Sequence, residues 1–207
     1  MSNYPPPHHQ ESSFANCLAL VKAAPLATII SSQKDTICTT HTPLVYHPDE
    51  NLGYFIGHID CYNPQVAHLE IGAWVEIIFH GPETYISPTD YQSTQLPTWN
   101  YFKAHFGGKV ESYRDADRLR DSLIEMTTFL EGEKGGYILE KTNPRMEKAL
   151  PYIVGFKIQI AQWEGKYKIS QDKHTKDQRL AKDKMLSEFP SKKALIDQLY
   201  QNHQTKR

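Results

Sequence analysis

The strongest periodic signal lies in VGFKIQIAQW, where Val154, Phe156, Ile158 and Ile160 alternate with Gly155, Lys157 and Gln159. A period of two predicts a strand with one buried face. LATIISS, DTICTTHTPLVY and NLGYFIGH are rich in β-branched and aromatic residues, and the turn-forming QKD and HPDEN separate them. They predict antiparallel strands. AWVEIIFHG, ETYIS and TWNYFKAHFGGKVESY predict further strands, and GKYKIS continues in extended form. Helical spacing takes over where Phe14, Cys17, Leu18 and Val21 recur, with Ser12 or Ser13 available as cap and Pro25 as stop. Asn63-Pro64 opens a short helix in NPQVAHLEIG. Leu119, Leu123, Met126, Phe129 and Leu130 share a helical face over 115–131, which the glycines of GEKGG close. Another short helix is expected around PRMEKALPY, and charged, partly amphipathic stretches broken by Pro190 complete the chain. Strands in succession with few helices between them predict a mainly β or α+β fold. About six or seven short strands suit a closed or half-open barrel, which manages the sheet edges. A doubly wound parallel sheet is excluded, because helices do not alternate with strands and no GxGxxG or P-loop pattern occurs.

Length refines this picture, since 207 residues allow one domain, or one domain with a helical appendage. The 39% of hydrophobic and 23% of charged residues are globular proportions, so a disordered chain, a collagen and a small disulfide scaffold are excluded. No apolar run approaches the roughly 18–20 residues of a transmembrane helix, so no membrane contact is expected. MSNYPPPHHQESS lacks a basic then apolar leader pattern. Cys17, Cys38 and Cys61 are an odd count without CxxC, which argues against a disulfide framework and for a cytoplasmic compartment. The net charge of −1 divides unevenly: residues 164–207 hold eleven Lys/Arg and six Asp/Glu, net +5, leaving −6 on residues 1–163. A basic tail on an acidic body suits phosphate contact or a solvated helix.

Chemistry-bearing patterns are sparse. No GxSxG or HExxH occurs, and the ten histidines lack ligand spacing, so neither a nucleophile triad nor a metal site is expected. Three polar and aromatic clusters interrupt the apolar strands. GHIDCYNPQ (57–65) joins a strand end to a helix start, where free N–H groups favour an anion; Asn63 would cap there and His58 adds a donor. The segment 79–101 gathers Tyr85, Tyr91, Trp99 and Tyr101 beside Ser87, Thr98 and Asn100, a set suited to a flat heteroaromatic ligand. KYKISQDK (166–173) places polar groups at a strand end.

In order and wording these clusters resemble the PaiB-type FMN-binding proteins, also called FMN-binding negative transcriptional regulators. The matching words are THTPL (40–44), GHIDCYNPQ, FHGPETYISPTDY, LPTWNYFKAHFGG, IVGFKI (153–158) and KISQDK. The resemblance implies an FMN-binding split β-barrel with flanking helices, usually a homodimer with FMN at the subunit interface, and a regulator of sporulation and protease genes. It implies cofactor contacts from His41, His58, Cys61, Asn63 and Gln65. It implies others from Tyr85, Ser87, Trp99, Asn100, Tyr101 and Lys103, and from Ser170, Gln171 and Lys173. The phosphate is then expected near 58–65 and the flavin ring near Tyr85, Ser87 and Trp99–Tyr101.

Several positions depart from the family wording. Cys61 stands where arginine is usual and so lacks its charged fork, and Asp60 adds a negative charge beside it. His80 replaces a glutamine, Asp90 an aromatic, and Asp172-Lys173 an Asn-Arg pair. Lys103 is a candidate for restoring the lost charge. The expected organisation is an arm over 1–11, a flavin-binding barrel over 12–173 and a basic helical extension over 174–207. Three functions follow: a flavin-dependent regulator or sensor, a flavin reductase or FMN-dependent oxidoreductase using NAD(P)H, and a barrel that has lost flavin. No proton donor is named by the sequence for the enzymatic reading. DNA binding has only the basic tail in its support, since no recognition helix is evident.

Overall fold

The structure is a computed structural model that describes residues 6–204. A 3₁₀ turn over Pro7–His9 and β1 (Gln10–Glu11) lead into α1 (Phe14–Ala23). β2 (Leu26–Gln33), β3 (Thr36–Pro43), β4 (Val45–His47) and β5 (Tyr54–Asp60) follow. A 3₁₀ turn over Pro64–His68 precedes β6 (Trp74–Ile86), and another over Pro88–Asp90 precedes β7 (Thr98–Tyr113). The chain continues through α2 (Ala116–Glu131), α3 (Pro144–Ala149), β8 (Ile153–Lys168), α4 (Thr175–Glu188) and α5 (Lys193–Gln204). The eight strands form one sheet in the order β3–β2–β6–β7–β8–β5–β4, with β1 added on β8. This is the expected mixed, strand-rich fold. The sheet is open, with β3 and β4 at its ends, so of the two barrel forms expected the closed one does not occur.

Local chemistry explains where the elements differ from the sequence pattern. AWVEIIFHG and ETYIS form a single strand, β6. The burial phase shifts within it, from Val75, Ile77 and Phe79 to Pro82, Thr84 and Ile86, so His80-Gly81-Pro82 changes the pleat without ending the strand. DTICTTHTPLVY divides at buried Leu44, whose N–H donates to Pro25 O (3.0 Å). The helix expected after Asn63 is only the 3₁₀ turn Pro64–His68, and Gly72 soon turns the chain with φ +86°. Ser13 is the α1 cap, accepting from Asn16 N at 3.3 Å.

The described chain divides into two compact units, and the division falls inside β6, β7 and β8. Unit 1 comprises residues up to Ala24, Phe79–His105 and the chain from Trp163 onward. Its core includes Leu20, Phe79, Phe102 and Tyr167, joined by Met185, Ile196 and Leu199 from α4 and α5. Unit 2 comprises Pro25–Ile78 and Phe106–Gln162, with Phe55, Ile77, Phe106, Phe156 and Ile158 in its core. Of the N-terminal arm, residues 1–5 lie outside the described residues, while Glu11 is buried on β1. No helix of the described residues is long and apolar enough to cross a membrane.

Candidate functional site

The sequence candidates fall into two groups, one in each unit. In unit 2, His41 is exposed on β3, while its word THTPL is tied to GHIDCYNPQ through two threonines. Thr42 Oγ1 donates to His58 O (3.0 Å), and Asn63 Nδ2 donates to Thr40 Oγ1 (2.9 Å). These two threonines of THTPL are binding partners that sequence reasoning did not single out. His58 Nδ1 is buried without a hydrogen-bond partner, and burial holds the imidazole below its ordinary value. A neutral ring with one open nitrogen is suited to a polar ligand atom.

The turn from Asp60 to Val66 is otherwise self-satisfied. Cys61 N donates to Tyr152 O (2.8 Å), Tyr62 N to Asp60 Oδ1 (2.8 Å) and Asn63 N to Asp60 O (3.0 Å). Gln65 N donates to Asn63 Oδ1 (2.9 Å) and Val66 N to Asn63 O (2.9 Å). Gln65 is 1% exposed and its Nε2 faces Ile29 O, Ser31 Oγ and Cys38 O. The donors that made this junction attractive for a phosphate are therefore engaged within the protein.

Unit 1 holds the remaining candidates. Tyr85 on β6 and Trp99 on β7 are 45% and 53% exposed, with ring centroids 6.1 Å apart in an edge-to-face arrangement. Lys166 Nζ lies 5.6 Å from the Tyr101 ring centroid. Lys103 is paired with the Glu83 carboxylate and lies 3.0 Å from His80 Nδ1, so its charge is largely answered locally. Ser87 caps the 3₁₀ turn Pro88–Asp90 by accepting from Thr89 N (3.3 Å), and Asp90 Oδ2 accepts from Ser87 N (2.8 Å). The aspartate that departs from the family wording thus completes a capping box.

The words PTWNY and KISQDK meet at a buried polar knot. Asn100 Nδ2 lies 3.0 Å from Ser170 Oγ, and Tyr91 Oη lies 2.7 Å from the same hydroxyl. Ser170 has φ +61°, a left-handed conformation uncommon for a residue with a Cβ. Gln171 Oε1 accepts from Ile169 N (2.8 Å) and its Nε2 donates to Tyr167 O, which folds the segment back on its own strand. Beside the knot is a cleft of about 340 Å³, lined by the bases His9, Lys168 and Lys173, the acid Asp172, and Thr98 and Asn100. Leu96 and Pro97 supply an apolar wall. Lys173 Nζ lies 2.9 Å from Asp172 Oδ2, and Lys168 Nζ donates to Thr98 Oγ1. His9 is held below its ordinary value, first by burial and then by His8. At neutral pH the lining therefore carries two lysine charges against one aspartate, beside amide and hydroxyl donors, a donor set that fits an organic phosphate. Among the described residues no group of three or more His, Cys, Asp or Glu is placed to hold a metal ion.

An open strand-rich sheet with flanking and C-terminal helices has split-barrel topology. Solved structures share this fold. The FAD and heme binding protein from Mycobacterium smegmatis matches with TM-score 0.63 and 16% identity, covering 84% of this chain and 80% of that one. The flavocytochrome Anf3 from Azotobacter vinelandii matches with TM-score 0.59 and 15% identity, covering 77% and 69%. The family described as "Putative FMN-binding domain" matches residues 3–162. The protease synthase and sporulation protein PAI 2 of Bacillus subtilis is 30% identical over 176 residues, 84% of each chain. An uncharacterized protein of Emericella nidulans is 25% identical over 207 aligned positions, covering 79% of this chain and 82% of that one. The chain belongs to this FMN-binding split-barrel family, related to PAI 2, and FMN is the cofactor that membership assigns to it.

Proposed function

We propose that the protein is a cytoplasmic, homodimeric FMN-binding regulator or sensor, in which the state of the flavin biases contact with a partner. The observation that carries the reading is the cleft in unit 1, where the Asn100–Ser170 knot fixes the strand ends beside Lys168 and Lys173. Lys168 and Lys173 would hold the phosphate of FMN, and the exposed rings of Tyr85 and Trp99, with the partly exposed Tyr101, would offer faces to the isoalloxazine. FMN, when bound, supplies redox chemistry; the protein's own groups orient it. The regulatory role draws on the relative whose name concerns protease synthesis and sporulation.

The test begins with the absorbance of purified protein and chromatography of released flavin, followed by FMN titration. Lys173→Gln is expected to weaken FMN about tenfold by removing a charge-assisted contact, whereas Cys61→Arg leaves affinity near wild type. Unchanged affinity in Lys173→Gln together with a gain in Cys61→Arg would move the phosphate to the 58–65 turn. Steady NAD(P)H consumption by the same preparation would replace the sensor reading with the reductase one.

A further inference from the structure

We propose that Cys38 is a thiol-modification site, a nucleophilic sulfur served by His68 that undergoes exchange with low-molecular-weight disulfides. β2 and β3 pair Ser31 directly opposite Cys38, so both side chains stand on one face of the hairpin. The 3₁₀ turn Pro64–His68 brings His68 over that pair. Its Nδ1 lies 3.2 Å from Ser31 Oγ and its Nε2 lies 3.7 Å from Cys38 Sγ. Gln65, three residues earlier on the same turn, donates from Nε2 to Ser31 Oγ (2.9 Å) and to Cys38 O (3.2 Å). Ser31 and Gln65 are 2% and 1% exposed, so the groups that orient the imidazole are fixed in the interior while Cys38 remains partly accessible.

The arrangement supplies a nucleophile, a base in reach of it, and a third group orienting the base. The other two cysteines differ. Cys17 is fully buried and its thiol is pushed up to about 12, chiefly by burial and then by Glu11. Cys61 is partly exposed, and its N–H donates to Tyr152 O.

With Nδ1–H donated to Ser31 Oγ, the Nε2 lone pair faces the thiol. Nε2 takes the Cys38 proton, and the thiolate attacks one sulfur of the disulfide. A bond forms between Cys38 Sγ and that sulfur, the original S–S bond breaks, and the departing thiolate takes the electron pair and then the proton from Nε2. Cys38 is oxidised to a mixed disulfide, and half of the reagent is reduced to a free thiol. No further oxidant is required. The group added sits on the strand to which the Gln65 side chain is anchored.

The experiment exposes the full-length protein to glutathione disulfide, and separately to 5,5′-dithiobis(2-nitrobenzoate), and follows each cysteine by peptide mass. Cys38 is expected to be modified first, and about tenfold or more faster in the folded protein than in the same protein unfolded in urea, where His68 is no longer held against the thiol. His68→Phe is expected to remove that advantage, and Ser31→Ala to reduce it. Cys38 reacting more slowly when folded than when unfolded, or no faster than Cys61, overturns the proposal. The comparison of folded with unfolded protein needs no variant, so it stands even where His68→Phe fails to fold.

Discussion

Ser170 is the residue on which the buried polar knot of unit 1 converges. Its left-handed φ of +61° carries a strain of about 1–3 kcal/mol, which persists only where neighbours fix the conformation. Asn100 and Tyr91 do so through the hydroxyl, and Lys173 N donates to Ser170 O (3.0 Å). Asn100 is fully buried, so truncating it removes one of the two partners of the Ser170 hydroxyl, leaving only Tyr91, and opens a gap in the interior. We expect Asn100→Ala to destabilise by about 1–3 kcal/mol in denaturant unfolding and to weaken FMN in the same sample. Lost stability with unchanged FMN affinity would confine the knot to a structural role. Asp90 teaches a related lesson. The sequence comparison presents it as a loss of an aromatic, while the structure uses its carboxylate to accept from Ser87 N (2.8 Å). A change of residue type at a family position is visible in the letters, but the hydrogen bond that replaces the old contact is not.

At the level of elements, the close approaches of glycine are the tightest constraints. A Cβ on Gly108 of β7 would lie 2.4 Å from Gln159 O of β8, a backbone atom with little room to retreat. A Cβ on Gly81 of β6 would meet Leu20 Cδ1 at 2.6 Å and Phe102 Cβ at 2.9 Å, both on fully buried side chains. We expect Gly108→Ala and Gly81→Ala each to cost about 1–3 kcal/mol, measured as a fall in the denaturant midpoint. Wild-type midpoints in both would mean that the strands shift to admit a methyl group. Strands of this kind were largely legible in the sequence, because alternation such as Val154–Ile160 follows from one buried face. The joining of AWVEIIFHG to ETYIS was not legible. Gly81-Pro82 reads as a breaker by local rules, and only the packing of Leu20 on that glycine explains its place within a strand. The candidate site was legible as words but not as geometry. The saturated donors of the 60–66 turn and the convergence of Asn100 with Ser170 depend on contacts between residues far apart in sequence.

For the molecule as a whole, acid stability follows from the direction of its buried titrations. Burial lowers His58 in unit 2, and burial followed by His80 lowers His105 in unit 1, from the ordinary value of 6.5. Below 6.5 the unfolded chain binds protons that the folded chain refuses, so this contribution is complete above 6.5 and is lost as pH falls below it. Asp177 is lowered mainly by the Ser93 hydroxyl and then by the N–H groups of Gln92 and Ser93, so its contribution is complete above the ordinary carboxylate value and is lost as pH falls through its lowered one. We therefore expect Tm to decline first as pH falls below about 6.5 and more steeply below about 4; a Tm unchanged on acidification from pH 7 to about 4 would contradict this. The basic tail poses the last question, whether its net charge of +5 over 164–207 is available to nucleic acid. Lys182 Nζ pairs with Asp197 (2.6 Å), Lys193 with the same carboxylate (2.5 Å), and Lys184 with Glu188 (3.1 Å). Lys192 Nζ donates to Ala23 O (2.7 Å), tying the end of α1 to the turn before α5. Three of these four lysines thus have an acidic partner, already counted in the net +5, and the fourth has a backbone acceptor, so all four side chains serve the fold. A DNA-binding surface would lose affinity linearly in log salt, with a slope near −0.9 per neutralised phosphate. Replacing Lys182, Lys184, Lys192 and Lys193 with glutamine is expected to lower Tm, through lost ion pairs and the Ala23 contact, and to leave FMN affinity unchanged. Sequence-selective, salt-sensitive DNA binding by the wild type that disappears in this variant would show that these lysines serve nucleic acid as well as the fold.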